Sequence, residues 1–156
     1  MITFDVRTLG SLPWPARLGK QCEYPGLEYR LQRILGDQWC TPEAHRHALA
    51  TNRQYRDTLE EAFADAPWRA GLFDGVRRAT ELALQSPVRG TRLPDDDPWR
   101  QWKRTLGPLD SDTSQWLKWP AGFAHDRFTD GRHRITCLRL HHGPDLPVLV
   151  RITHPH

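Results

Sequence analysis

Polar and apolar residues alternate at the start of the chain. Ile2, Phe4 and Val6 fall on one side and Thr3, Asp5 and Arg7 on the other, the period of a strand with one buried face. Residues 10–15 break the run. From Pro25 to Leu35 the period changes, and Leu27, Leu31, Ile34 and Leu35 share one face of a short helix that Gly36 ends. Thr41-Pro42-Glu43 is a helix start, with Thr41 at the cap and Pro42 at the first helical position. Ala48, Asn52, Tyr55, Leu59 and Ala62 then recur at helical spacing beside Phe63. Asp65-Ala66-Pro67 closes this helix and can cap the next. There Trp68, Leu72, Phe73, Val76, Ala79, Leu82 and Ala83 make a second apolar stripe. The pattern predicts helices over about 42–64 and 67–85, and the short link predicts an antiparallel pair.

From Ser86 to Thr113 the periodicity is lost. Prolines and glycines punctuate the stretch, Asp95, Asp96 and Asp97 form an acidic cluster, and Trp99, Trp102 and Leu106 share one short helical face. So long a loop in a small domain is either functional or a mobile lid. Ser114 to Pro120 adds Trp116 and Trp119, and Phe123 to Phe128 reads as a strand. The stretch from Phe128 to Ile152 reads as strand, glycine turn, helix, strand. Its helix turns Ile135, Leu138 and either Cys137 or Leu140 inward and stops at Gly143-Pro144, and Pro147 to Ile152 is a short apolar strand. The expected fold is α/β (α+β), a small mixed sheet built from N- and C-terminal strands. A helical-hairpin insert spans about 41–85, an irregular Trp/Pro-rich segment 86–120, and the strand-turn-helix-strand unit 123–153. A chain of 156 residues fits a single domain, 1–156.

Composition narrows the setting more than the chemistry. Twenty-two Lys and Arg against 19 Asp and Glu give +3, mildly basic and compatible with nucleic acid without requiring it. The basic residues are almost all arginine, which suits bidentate phosphate contacts and equally fits a GC-rich genome; lysine occurs only at Lys20, Lys103 and Lys118. Three cysteines, Cys22, Cys40 and Cys137, make no CxxC pair, and the first residues carry no secretory pattern. Both features predict a cytoplasmic, reducing environment. No apolar run approaches the roughly 20 residues of a membrane span.

The candidate site is Gly131 to Arg134. Glycine lets the backbone turn sharply and approach a ligand. Arg132, His133 and Arg134 occupy the first turn of a helix, where exposed N–H groups and the helix dipole favour anions and disfavour cations. A bound phosphate would offset that cost. Asp130 suits a helix cap, and either Asp130 or Asp126 could give magnesium its one carboxylate if a nucleotide binds with it.

The residues DGRHRITCLRLHHGPDLPVLVRI resemble the signature region of the ParB/sulfiredoxin superfamily. Asp130, Gly131, His133 and Arg134 match its D-G-x-H-R core, and Gly143, Pro147 and Val148 match the glycine and Pro-Val strand start on its C-terminal side. The resemblance covers about 25 residues. It implies a small α/β fold that binds ATP or another nucleotide with Mg²⁺, the phosphates resting on Gly131 and the helix start. Arg132 and Arg134 would hold phosphate. His133 would be a phosphate ligand or general acid, and Asp130 would be its catalytic companion. The implied chemistry is phosphoryl transfer or phosphodiester hydrolysis, as in a phosphotransferase, an NTPase or a nuclease-like hydrolase. Arg132 stands where sulfiredoxins carry their reactive cysteine, so sulfinic acid reduction is not implied. Chromosome-partitioning members continue into a DNA-binding helix-turn-helix, whereas this chain ends about twenty residues after the motif.

Other clusters carry two readings each. His125 reads as a surface histidine rather than a base. His141 and His142 complement a helix C-terminus, and with His154 and His156 they match no zinc spacing. The three consecutive aspartates are solvated or hold a metal. Trp99, Trp102, Trp116 and Trp119 either fill a core or, beside Arg100, Lys103, Arg104 and Lys118, form a stacking surface for bases. Hence there are two alternatives to a nucleotide enzyme: a non-catalytic nucleic-acid-binding module, and a protein-interaction module acting through the tryptophan-rich half.

Overall fold

The computed structural model describes residues 1–19 and 23–155, so Lys20, Cys22 and His156 lie outside the described residues. The fold is α/β, with a four-stranded mixed sheet and helices packed around it. The strands are β1 (Ile2–Thr8), β2 (Ala121–Ala124), β3 (Arg127–Asp130) and β4 (Pro147–Thr153), in the order β1-β4-β2-β3. β4 pairs antiparallel with β1 and parallel with β2, and β2 pairs antiparallel with β3. Consecutive strand residues point to opposite faces, and Val148, Leu149 and Val150 are all fully buried, so β4 is covered on both sides. The outer edge of β1 is closed by residues 90–93, where Ile2 exchanges two hydrogen bonds with Leu93 and Gly90 N–H donates to the Phe4 carbonyl.

The helices are α1 (Leu27–Leu35), α2 (Pro42–Thr51), α3 (Arg53–Phe63), α4 (Leu72–Ala83), α5 (Asp97–Arg104), α6 (Ser111–Lys118) and α7 (Arg132–His141). Thr41 caps α2 as its sequence requires, its hydroxyl accepting from Ala44 N–H at 3.3 Å. The helix expected over 42–64 is two helices. Asn52 leaves the helical conformation (φ −114°, ψ 107°), and its side chain accepts from Tyr55 N–H at 3.0 Å, capping α3. The helix expected from 67 starts at Leu72, after turns across 67–71. α3 packs against α1, α2 and α7, whereas α4 packs against α6, β4 and β1. These two helices therefore belong to different layers and do not make the expected hairpin.

The segment expected to be irregular is organised by α5 and α6, which tryptophans fasten to the sheet. The Trp99 ring stacks on Phe4 at 4.3 Å and its indole N–H donates to the Leu117 carbonyl. The Trp116 indole donates to the Leu149 carbonyl at 3.1 Å, and Leu149 N–H donates to the Thr80 hydroxyl at 3.1 Å. Side chains from α6 and α4 thus complete the backbone of β4 one residue before β2 begins to pair with it. The strand expected over 123–128 is a hairpin, with His125 at its turn in a left-handed conformation (φ 55°). No helix among the described residues is long and apolar enough to cross a membrane.

Candidate functional site

Gly131 is the residue before α7, and two constraints demand glycine there. Its φ is 78°, and a Cβ would lie 2.9 Å from the Ala121 Cα on β2. The Asp130 carboxylate holds the turn: one oxygen accepts from Gly131 N–H at 2.7 Å and the other lies 3.5 Å from Arg134. Beside the turn lies a hollow of about 210 Å³ lined by residues 128–133.

The three basic side chains of the first turn reach back to the chain. Arg132 donates to the Gly19 carbonyl at 3.1 Å, and its Nε is buried without a hydrogen-bond partner among the described residues. His133 is buried, tilted against Tyr24, with Nε2 2.6 Å from the Leu18 carbonyl. A carbonyl only accepts, so that nitrogen carries the proton. Arg134 donates to the Trp119 carbonyl at 2.7 Å, and its guanidinium lies over the Trp116 ring at 4.7 Å. Further along α7, Arg139 donates to the carbonyls of Leu9, Leu12 and Pro13 and stacks on Trp14 at 4.0 Å. Burial pushes its pKa down to about 10, which leaves it charged at neutral pH. Buried carbonyls outside regular helices and sheets need donors. α7 supplies them to residues 9–19 through Arg132, His133 and Arg139, and to Trp119 through Arg134.

The larger concavity is a groove of about 360 Å³ between α5 and α6. α5 presents Arg100, Lys103 and Arg104, and α6 and its end present Lys118 and Trp119. Asp96 is the one carboxylate of the lining among the described residues, and it is paired with Arg100 at 2.8 Å. Lys103, Arg104 and Lys118 make no ion pair among the described residues. Burial lowers the Lys103 pKa, and the neighbouring Arg100 and Lys118 lower it further, against Asp96. Trp119 is 57% exposed, with the Lys118 ammonium 5.6 Å from its ring centre.

The four tryptophans singled out in the sequence therefore divide. Trp99 and Trp116 are core, Trp102 is half-buried against Trp99 at 4.6 Å, and Trp119 alone of them is exposed. What the sequence did not yield was α6, the second wall of the groove. Its sign was Asp110, which caps it by accepting from Thr113 N–H at 2.9 Å and from the Thr113 hydroxyl at 2.6 Å.

Most of the remaining candidates are engaged locally. Asp97 N–H donates to Asp95, and the Asp97 carboxylate accepts from Gln101, so these acids shape the start of α5. His125 is exposed on the hairpin turn. His141 pairs with Glu60, His142 meets the Phe73 ring edge at 4.9 Å, and His154 bonds the Thr3 hydroxyl at 2.8 Å. Cys137 is buried, its thiol pushed up to about 11 by burial, and Cys40 is exposed. Comparison with protein-family models, with curated proteins and with solved structures finds no match to this chain.

Proposed function

We propose that this protein is a non-catalytic module that binds a phosphate-bearing ligand in the groove between α5 and α6. One observation carries the reading. Lys103, Arg104 and Lys118 converge on a groove whose only carboxylate among the described residues, Asp96, is already paired with Arg100. Like charges held together in a partly buried groove repel, and a bound polyanion relieves that repulsion. The direct test is a thermal-shift panel of inorganic polyphosphate and nucleoside triphosphates, with and without Mg²⁺. Polyphosphate raises the Tm of the wild type, less so as salt rises, and the Arg104→Glu/Lys118→Glu variant loses the response. A wild type indifferent to every phosphate compound contradicts the reading.

A second reading keeps the ligand at Gly131, as the ParB/sulfiredoxin resemblance implies. The Nε of Arg132, buried beside the hollow with no partner among the described residues, favours it. There, first-turn N–H groups and Arg132 would receive the phosphates of a nucleotide, and His133 and Asp130 would have to serve any phosphoryl transfer or hydrolysis. The bond from His133 to Leu18 weighs against such chemistry. The same panel separates the readings, because a nucleotide response that survives in the Arg104→Glu/Lys118→Glu variant belongs to the turn.

A further inference from the structure

Trp119 differs from an incidental surface tryptophan in how its backbone is held. It comes directly after the last residue of α6 with φ −130° and ψ 61°, and its N–H donates to the Gln115 carbonyl at 2.8 Å. Its carbonyl accepts from Arg134, whose side chain is only 15% exposed and rests on the Trp116 ring. The indole is thus an exposed ring on a clamped backbone, with Lys118 beside it and Lys103 and Arg104 along the same groove. Such a platform loses little entropy when a flat group stacks on it.

We propose that the occupant of the α5–α6 groove is single-stranded nucleic acid, with one base stacked on Trp119 and neighbouring phosphates on Lys118, Lys103 and Arg104. The proposal rests on the reading of the groove as a phosphate site and names its ligand. Clustered cations alone would serve any polyanion. The exposed indole among them adds a preference for a ligand that alternates anionic groups with flat faces, which is the chemistry of an unpaired strand. A duplex keeps its base faces stacked inside and offers the indole nothing but backbone. An acidic peptide satisfies the cations and leaves the ring unused. Arg134 is here a positioning residue, since it acts on the ligand only through the backbone of Trp119.

The test is fluorescence anisotropy with a fluorescein-labelled oligothymidylate, in competition with a duplex of equal length, with inorganic polyphosphate and with poly-glutamate. The labelled strand binds and quenches tryptophan emission, and it outcompetes duplex and poly-glutamate at equal salt. Trp119→Leu weakens the strand roughly tenfold, the scale of one lost base stack, and leaves polyphosphate competition against the residual binding unchanged. Trp119→Phe restores most of the loss, and the urea midpoints of both variants match the wild type. Lys118→Glu weakens strand and polyphosphate together. If polyphosphate binds but Trp119→Leu leaves the strand unaffected, or duplex or poly-glutamate binds as well as the strand, the single-strand proposal is overturned and the phosphate reading stands. If neither strand nor polyphosphate binds, both are overturned.

Discussion

Arg139 is a charged side chain consumed inside the fold. It is 8% exposed and serves three carbonyls of residues 9–13. Arg139→Met keeps the apolar stem and removes every donor. Unsatisfied buried acceptors cost about 1–3 kcal/mol each when no water reaches them, so urea denaturation should register a loss of about 3 kcal/mol. Arg132, His133 and Arg134 belong to the same pattern of donors to Gly19, Leu18 and Trp119. The sequence shows a cluster of donors at a helix start but not what accepts from them. The accepting carbonyls lie more than a hundred residues away for Arg132 and His133, so nothing in the local sequence marks them. His45 was not legible at all. It is buried, with Nε2 within 3.1 Å of the Ala16 and Trp39 carbonyls and Nδ1 2.7 Å from the Tyr55 hydroxyl. Burial lowers its pKa below 6.5 and raises that of Tyr55, so the hydroxyl donates to a neutral imidazole. The unfolded chain therefore binds the proton first on acidification. Stability contributed by neutral His45 is intact above pH 6.5 and declines as the pH falls below it. Urea midpoints measured from pH 7.5 to 5 should show that decline, and a His45→Gln variant should show a flatter profile.

At the scale of elements, periodicity located most helices and strands but not their breaks or their partners. Asn52 fell on the apolar stripe by spacing, and its capping chemistry won over continuation of the helix. The expected pairing of the two helical stripes failed because each has a larger apolar surface to cover. α4 carries Leu72, Val76, Ala79 and Ala83 onto β4 and α6, and α3 carries Tyr55, Leu59 and Phe63 toward α1 and α7. The segment expected to be irregular holds two helices, since prolines and glycines there separate elements of only eight residues. The glycine turn was legible, for a reason that needs no ligand. Gly131→Ala forces a left-handed alanine against the Ala121 backbone, and a Tm or urea measurement should show a loss of about 1–3 kcal/mol. An unchanged stability would mean that the turn yields without strain.

For the whole molecule, the sheet drawn from both ends of the chain was legible in the alternation of β1 and the apolar run of β4, and its order β1-β4-β2-β3 was not. Register and order are set by contacts between strands that share no local signature. The charge distribution divides in the same way. A net charge of +3 conceals two uses of cations: those of α7 are consumed inside the fold, and those of α5 and α6 face the groove. The measurement that tests this division most directly is the salt dependence of oligothymidylate binding. Each phosphate contact on a single strand contributes about 0.7 to the slope of log K against log salt. The account predicts that Arg104→Gln lowers the slope by about that amount and that Arg132→Gln leaves it unchanged. A slope that falls in Arg132→Gln and holds in Arg104→Gln would contradict it and return the ligand to the Gly131 turn.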